Sequence, residues 1–567
     1  MRAPSISPLI LALALFANAD AARANQTVTA CSTDTQTGSG TNLATALAAG
    51  GDIFIQCPKA SVIRVTQRYT LNSETQLIGL NSATLADNIV FDGAGLTGPL
   101  LFVATGKLTV QALSFKNFTT GSFFFSHVPS IAAAENVPTI DGIARYSYAS
   151  TIDAKGDVEL DQVQITASDA PVRAAGAMTI NHSWFGGNKG TVIMFLGVGS
   201  VNTSDFENNG AAIDFHQGAI LGCTFNGHLL TAITITLPIG PVSIRNSNFS
   251  NSIGDPAISI TAQSSNSGAA NVTLRGDNFS NNNGGAEAGA IAIRQLSSPL
   301  AAAAPYFAKL PATVFQIAYD DFDTNLGGTG GALDVELRPI DLLSIVGGTF
   351  AHNTAITAGG AIFVRDGQLS ITHSLFKANS APAGAAIAAA PSAQLTIANS
   401  LIVENLLVGA ATTTTPNQRA AVTASQLILA NVTIANNQGI GLGADAPLKS
   451  QLTNLLLSQN KPSNCSGFPA TSFAGPNLQF GPTDCAGSTV TGDPLLDSFY
   501  VPSPGSAALK LGSVSTCSST PVNGTDLVFQ ARNKTVCALG AFERPPLQFR
   551  PPTPTQGPYA PKVAITK

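Results

Sequence analysis

The chain has 567 residues, of which 44% are hydrophobic and only 11% are charged, and its formal net charge is -5. A coiled coil needs far more Glu, Lys and Arg, and a disordered acidic segment contains far fewer apolar residues. A nucleic-acid-binding domain needs a surplus of basic residues, which this chain lacks, so no nucleic-acid partner is expected.

The N-terminus predicts export from the cytoplasm. Met1 and Arg2 give a positive start, residues 9–16 are uninterrupted apolar residues, and Ala22-Arg23-Ala24 has the small-x-small pattern of a cleavage site. Residues 1–24 are therefore interpreted as a signal peptide, because the apolar stretch is too short to span a bilayer. We expect a secreted or cell-surface protein (extracellular, outer-membrane-associated or periplasmic) with no transmembrane segment in the mature chain.

A repeated motif dominates the middle of the chain. It consists of an aromatic or aliphatic residue, two further residues and then Asn, and it recurs at intervals of about two dozen residues. The pairs are Phe185 and Asn188, Phe206 and Asn209, Phe279 and Asn282, Phe322 and Asn325, Phe350 and Asn353, Phe376 and Asn379, Ile402 and Asn405, Ile434 and Asn437, and Leu457 and Asn460. Phe225 and Phe249 hold the same place with Asn slightly out of register.

Each repeat reads as strand, turn, strand, turn. A Gly/Ala turn with a short apolar strand follows most copies, as in residues 330–334, and an alternating strand such as residues 369–372 precedes the Phe. No single repeat can bury its own apolar face, so the copies must stack. The sequence therefore predicts an all-β, single-stranded right-handed parallel β-helix with the Phe rings stacked inside and the Asn side chains in a ladder. A propeller or a sandwich fits the spacing and the motif less well.

The rest of the chain is divided around this repeat. We expect the β-helix and its N-terminal cap over residues 25–460, with Ala/Pro/Ser-rich projecting loops near 123–148 and 296–315. A disulfide-containing C-terminal cap is expected over residues 461–543, and a Pro-rich tail over 544–567. Six of the seven cysteines form three local pairs, which predicts the disulfides Cys31–Cys57, Cys465–Cys485 and Cys517–Cys537. Cys223 is expected to be a buried free thiol.

Two family resemblances follow from these motifs. The alternation of Phe-x-x-Asn with Gly-Gly-Ala-Ile, as at residues 359–362, resembles the repeats of chlamydial polymorphic membrane proteins. Residues 492–496, 504–508 and 539–543 resemble the end of bacterial secreted choice-of-anchor Q domain proteins. The resemblance implies a pectate-lyase-like solenoid with a small disulfide-linked C-terminal region, and a surface-exposed adhesin as its function.

Chemistry on such a rod needs clustered carboxylates, with an Arg or Lys to neutralise an acidic sugar. The densest acidic cluster is Asp320, Asp321 and Asp323, in which Asp321 and Asp323 flank the core Phe322 and so point outward. Asp214 and His216 loosely resemble part of the Asp-Pro-His-Asp motif of alginate epimerases, without the Pro or the second Asp.

Aligning the turn-plus-strand repeats predicts a charged column on the outside of the rod. Arg294, Glu336 and Arg365 should lie on adjacent coils, with Asp334 beside them and the 296–315 loop overhead. The column is either a solvated salt-bridge ladder of small energetic value or a shallow groove for acidic sugar or calcium centred on Asp334 and Glu336. The catalytic candidates are Asp334, Glu336, Arg294, Arg365, Asp321 and Asp323, and the calcium candidates are Asp321, Asp323, Asp334 and Glu336.

Two functional hypotheses therefore stand at this point. The first is a non-catalytic rod that adheres to a polysaccharide or to a host or cell-surface ligand. The second is a polysaccharide lyase or hydrolase that acts on uronate polymers. They differ in whether Asp320, Asp321, Asp323, Asp334 and Glu336 converge in one groove. No cofactor other than calcium is expected.

Overall fold

The computed structural model describes residues 25–543, except 39, 81, 94, 95, 97–99, 119–151, 169–171, 237, 239, 263–270, 296–312, 410–415, 446–448 and 488. The predicted signal peptide, the 123–148 loop and the Pro-rich tail lie outside the described residues. Of the predicted 296–315 loop, only its last three residues are described. Val314 and Phe315 belong to the strand Val314–Ala318, in which Val314 pairs with Leu342 of the next coil. The predicted loop extends to residue 315, whereas the strand begins at Val314, before that boundary.

One turn of the coil contains three short strands in a fixed order. Val158–Asp161 is followed by Gln164–Thr166 and Val172–Ala174, and Met178–Asn181 then begins the next coil. Each strand pairs in parallel with its counterpart in the next coil, so that Val158 lies opposite Met178 and Val172 opposite Ile193. This architecture is a right-handed parallel β-helix, which confirms the predicted fold class.

The first strand of each coil belongs to sheet A and the second to sheet B. The strands of sheet A are Asn25–Val28, Gly51–Ile55, Thr75–Gly79, Leu108–Gln111, Val158–Asp161, Met178–Asn181, Gly199–Asn202, Gly218–Leu221, Val242–Arg245, Asn271–Arg275, Val314–Ala318, Leu342–Val346, Gln368–Thr372, Gln394–Ala398, Gln426–Ala430 and Lys449–Thr453. The strands of sheet B are Val62–Arg64, Ile89–Asp92, Leu113–Lys116, Gln164–Thr166, Trp184–Gly186, Asp205–Glu207, Thr224–Asn226, Asn248–Ser250, Asn278–Ser280, Asp321–Asp323, Thr349–Ala351, Leu375–Lys377, Leu401–Val403, Thr433–Ala435, Leu456–Ser458, Asn477–Phe480 and Thr489–Thr491.

The third strand of each coil belongs to sheet C, and a short sheet D lies between sheets B and C in four coils. The strands of sheet C are Tyr69–Leu71, Leu101–Val103, Ile152–Ala154, Val172–Ala174, Thr191–Phe195, Ala211–Phe215, Ile233–Thr236, Ile258–Ala262, Ile291–Gln295, Leu333–Glu336, Ile362–Asp366, Ile387–Ala389, Ala420–Thr423, Ile440–Gly443 and Cys465–Ser466. The strands of sheet D are Leu326–Thr329, Thr354–Ala358, Ser380–Ala381 and Leu406–Leu407.

Helices are short in the described part of the chain. The two α-helices are Leu43–Ala49 and Val514–Ser518, and the 3-10 helices are Leu85–Asp87, Pro416–Gln418, Ala470–Ser472 and Ala507–Leu509. Asn42 is the N-cap of the first helix, and its side-chain oxygen accepts the N–H of Thr45. The helix buries Leu43 and Leu47 at the start of the rod. None of the helices among these residues is long and apolar enough to cross a membrane.

A single stack of aromatic rings fills the core beneath sheet B. The central residue of each three-residue strand points inward, so the rings of successive coils lie over one another. Neighbouring rings are 4.7–4.9 Å apart between centroids and nearly parallel. The rings are those of Phe185, Phe206, Phe225, Phe249, Phe279, Phe322, Phe350 and Phe376, as the repeat predicts. Ile402, Ile434 and Leu457 continue the column in register.

The Asn residues of the repeat form a buried ladder beside the ring stack. The backbone N–H and the Nδ2 of Asn325 both donate to Oδ1 of Asn353, over 3.0 and 2.9 Å. The Nδ2 of Asn353 donates to the Phe322 carbonyl over 2.9 Å and to Oδ1 of Asn379 over 3.0 Å. The same pattern runs from Asn282 to Asn460, so each turn after sheet B in this stretch is fixed by hydrogen bonds to the next coil.

The three predicted disulfides are present, and Cys223 is a buried free thiol. The Cα–Cα distances are 5.7 Å for Cys31–Cys57, 5.0 Å for Cys465–Cys485 and 6.6 Å for Cys517–Cys537. Parallel pairing continues past residue 460, as far as Thr489–Thr491. The C-terminal residues that follow pack against the outside of sheet B, where Tyr500 and Phe542 contact Leu401 and Val403.

Candidate functional site

The predicted acidic residues do not meet in one groove. Asp321 and Asp323 lie in sheet B, whereas Asp334 and Glu336 lie in sheet C. Asp323 is exposed, and its Oδ1 lies 2.9 Å from Nδ1 of His352. The feature that distinguishes the two functional hypotheses is therefore missing, because the acids are distributed over different faces of the coil.

Asp320 is not on the surface at all. It is fully buried in the turn between sheets A and B, where its Oδ1 accepts the backbone N–H of Asp277 over 2.8 Å. Asp277 in turn accepts the N–H of Ser247 over 2.8 Å. Burial raises the pKa of Asp277 to about 7, and burial together with the nearby Asp277 raises the pKa of Asp320 well above its usual value. Both carboxyls replace the Ser that holds this turn in other coils, so their role is structural.

Asp334 is the centre of a charged cluster on the outer face of sheet C. Arg365 binds its carboxylate in a bidentate manner, with Nε 3.0 Å from Oδ1 and Nη2 2.8 Å from Oδ2. Arg294 approaches from the preceding coil, with Nη2 2.8 Å from the same Oδ2. The hydroxyl of Thr329 in sheet D also bonds to this oxygen. We refer to Asp334, Arg294, Arg365 and Thr329 as the Asp334 cluster.

The predicted column of Arg294, Glu336 and Arg365 is wrong at Glu336. Val335 lies opposite Val364, but the register then shifts and Glu336 lies opposite Asp366. This irregularity displaces Glu336 from the position facing Arg365, and Asp334 occupies the centre instead. Asp334 does point away from the core, yet it has no exposed surface because the two guanidinium groups and Thr329 cover it. Ion pairs do link three adjacent coils through Asp334, but the shared carboxylate is buried and not solvated.

The cluster combines one buried carboxylate with two partly exposed cations. Arg365 is 38% exposed and Arg294 20%, and Nη2 of Arg294 also lies 3.6 Å from the carboxylate of Glu287. Hydrogen bonding to Asp334 raises the pKa of Arg365, so its guanidinium group stays charged. Thr329 lies at the end of a sheet D strand and Glu287 in a turn, both outside the aligned strands, and no sequence signal in the repeat points to them.

This geometry limits the chemistry of Asp334. Both of its oxygens are engaged by guanidinium groups, so it is a poor general base and a poor calcium ligand. Among the residues that the structure describes, no group of three or more His, Cys, Asp or Glu is placed to hold a metal ion. What the cluster does offer is the guanidinium group of Arg365, which is held in place and partly exposed and so suits an anionic group.

A shallow cavity continues from the cluster along the same face. Phe363 is the connection, because its ring lies 5.1 Å from the guanidinium carbon of Arg365 and also lines the cavity. The volume is about 280 Å³, and small side chains such as Ala388 open it. Thr423 and Asp445 supply polar groups in the following coils. The outer face of sheet C is therefore a trough that runs along the rod axis.

A second polar group lies further toward the N-terminus on the same sheet. Asp214 is outward, with Met194 and Thr234 beside it in the adjacent coils. Burial raises its pKa to about 6, and its Oδ1 is buried without a hydrogen-bond partner among the described residues. His216, two residues along the chain, contacts the Thr236 carbonyl through Nδ1. A carboxyl of this kind is a candidate proton donor or acceptor.

No protein-family model and no curated protein matches the sequence. Solved structures that resemble it are parallel β-helix proteins, and the periplasmic alginate epimerase AlgG is one, at 9% identity and a TM-score of 0.34 over 70% of this chain and 78% of that one. Tailspike protein 3 of bacteriophage CBA120 has 13% identity and a TM-score of 0.29 over 79% and 54%. The A-module of the Azotobacter vinelandii mannuronan C-5 epimerase AlgE6 has 10% identity and a TM-score of 0.29 over 79% and 92%. These identities are too low to transfer a function.

Proposed function

We propose that the protein is a secreted or cell-surface rod that binds an acidic polysaccharide along the outer face of sheet C. The single observation that carries the proposal is Arg365, a partly exposed guanidinium fixed by two hydrogen bonds to buried Asp334 at the edge of the trough. The disulfides support an oxidising location outside the cytoplasm. Adhesion is the role that the resemblance to surface β-helix proteins favours.

The Arg365 side chain is preorganised for binding. A free Arg side chain loses rotamer entropy when it binds a ligand, whereas Arg365 is already held by Asp334 and packed beside Phe363. The cavity beside Arg365 extends over several successive coils, from Phe363 to Asp445, which suits a polymer more than an isolated small molecule.

Binding to polygalacturonate and alginate, with dextran as the neutral polymer, tests this proposal by calorimetry on the mature protein. Arg365→Lys keeps the charge but loses the bidentate contact with Asp334 that holds the cation in place, and we expect acidic-polymer affinity to fall about tenfold. Glu336→Gln should leave the fold intact and strengthen binding, since it removes a negative charge near Arg365. Arg245→Lys is the matched control, because Arg245 is exposed on sheet A. Equal binding of dextran, or an unchanged affinity of Arg365→Lys, would contradict the proposal.

A second candidate function is an enzyme acting on uronate polymers, and Asp214 is the observation that favours it. Its raised pKa and unpartnered buried oxygen are properties of a group that exchanges protons. Incubation with pectate and alginate, with and without calcium, followed by ultraviolet absorbance of unsaturated products, tests for lyase chemistry. Reducing-end release tests for hydrolysis. Activity that Asp214→Asn abolishes and Asp323→Asn retains would support the enzyme, and no product in either assay would rule out these two reactions.

A further inference from the structure

A second, larger cleft lies at the C-terminal end of the rod. Its volume is about 820 Å³, within the range of roughly 300–1,000 Å³ that is usual for small-ligand sites. It opens beside sheet D, at the start of the sheet C strands Ala420–Thr423 and Ile440–Gly443. The residues that line it include Leu406, Leu407, Arg419, Gln438, Gln459 and Lys461.

The fold places the polar side chains of this cleft on adjacent coils. Gln438 pairs with Leu406 of the preceding coil and with Lys461 of the following coil through parallel bridges. Gln438 and Lys461 each follow a ladder asparagine, Asn437 and Asn460, whose hydrogen bonds fix the turn. The backbone positions of Gln438 and Lys461 along the cleft are therefore set by the rigid part of the fold.

The cleft is cationic and lacks a compensating acid. Arg419 and Lys461 both line it, and neither forms an ion pair with any residue in the described part of the chain. No Asp or Glu is among the lining residues, while Asn436, Gln438 and Gln459 supply amides. Two uncompensated cations with neighbouring amides form a site for an anion that also carries hydroxyl groups.

One wall of the cleft is apolar. Leu406 is 37% exposed, and Leu407 closes over Gly439 so tightly that a Cβ at position 439 would lie 2.4 Å from Cδ1 of Leu407. An apolar wall opposite a polar one suits a ring that has both a C–H face and hydroxyl groups. A simple inorganic anion would leave this wall and the amides unused.

We propose that this cleft binds one acidic sugar unit, whose carboxylate or sulfate group lies between Arg419 and Lys461 and whose hydroxyl groups bond to the amides. The site is separate from the Asp334 cluster and does not depend on the function proposed for the outer face of sheet C. Its ligand is a sugar residue or chain end, because the volume of about 820 Å³ is that of a small-ligand site.

Titration of the full mature protein with glucuronate, glucose 6-sulfate and glucose, followed by saturation-transfer NMR and calorimetry, tests the assignment. At least one of the two acidic sugars should bind and glucose should bind at least about tenfold more weakly. Which acidic sugar binds distinguishes a carboxylate from a sulfate group. Arg419→Ala and Lys461→Ala should each weaken binding about tenfold, whereas Arg365→Lys should leave it unchanged.

The variants are suitable because both side chains are at the surface, so thermal unfolding should be unchanged in each. Failure of both acidic sugars to bind, equal binding of glucose, or unchanged binding by the Arg419 and Lys461 variants would overturn the assignment. Loss of binding in Arg365→Lys together with the cleft variants would also overturn it, because a separate site is then excluded. The polymer assays on sheet C are independent of all four outcomes.

Discussion

The turn after sheet B is built in two ways along the rod, and the two can be compared directly. From Asn282 to Asn437 every ladder position has its amide hydrogen-bonded to both neighbouring coils. In the two coils before Asn282 the same positions hold His228 and Ser252, whose buried side-chain nitrogens and hydroxyl have no hydrogen-bond partner among the described residues. The Phe rings of these coils, Phe225 and Phe249, nevertheless stack at 4.8 Å as elsewhere.

The difference separates two contributions to the fold. Ring stacking and strand pairing are the same in both stretches, so they are sufficient to form the coil. The Asn ladder adds hydrogen bonds that fix the turn, and a coil without them leaves buried polar groups unsatisfied at a cost in free energy. The ladder resumes at once, since the N–H of Ser252 donates to Oδ1 of Asn282 over 3.1 Å.

The largest loss of stability is expected from removing a ring of the Phe stack, which both stretches share. Phe350→Ala and Phe249→Ala should each lower the free energy of unfolding by about 3–5 kcal/mol, because each removes a fully buried ring from the stack. Coils contact mainly their neighbours, so hydrogen exchange should rise near the changed coil only. Hydrogen exchange that rises uniformly along the rod would contradict the expectation that each coil is stabilised mainly by its neighbours.

A smaller effect should distinguish the two stretches. Asn353→Ala removes the acceptor for the Asn325 backbone and leaves buried donors unpaired, so the free energy of unfolding should fall by roughly 2–3 kcal/mol. Ser252→Ala removes a hydroxyl that has no partner, and the change should stay within about 0.5 kcal/mol. Chemical denaturation of both variants measures the comparison, and equal losses would mean that the ladder bonds contribute little.

The sequence predicts the structure of the repeating part of the molecule, but not the structure at positions where the repeat is interrupted. The Phe and Asn periods are sufficient to place the ring stack and the ladder, since both require one residue per coil. The register shift after Val335 depends on a local irregularity between two strands, so the spacing of Glu336 could not reveal it. The burial of Asp334 depends on Thr329 in sheet D, which lies outside the repeat that defines the other sheets.

Restoring the ladder should stabilise the broken stretch. His228→Asn supplies an amide in the place of a ring whose nitrogens form no hydrogen bond of good geometry, and we expect about 1 kcal/mol of added stability at pH 7. The gain should grow in acid. Burial lowers the pKa of His228 to about 4, so the unfolded chain binds a proton between pH 6.5 and 4 that the folded chain does not.

The free energy of unfolding of the parent protein should accordingly fall as the pH drops through that window, with His228 contributing up to about 3 kcal/mol. His373, whose pKa burial also lowers to about 4, remains in both proteins and adds a similar dependence. The pH-dependent part of the difference between His228→Asn and the parent therefore isolates His228. A difference that does not change between pH 7 and pH 4 would show that the ring is solvated.

An effect that is absent in acid and appears as the pH rises is expected at the turn between sheets A and B, where Asp320 and Asp277 replace Ser. Their raised pKa values mean that the folded chain holds protons that the unfolded chain has already lost. This contribution is complete below about pH 4 and is lost as the pH rises through the folded pKa values. Asp320→Asn keeps the acceptor for the Asp277 N–H and removes the ionisable group, so it should differ little from the parent below about pH 4. As the pH rises above 4 the parent loses this contribution and the variant should become the more stable of the two, and thermal unfolding at pH 4 and pH 9 measures the change. A constant difference between the two pH values would mean that Asp320 is ionised in the folded state throughout.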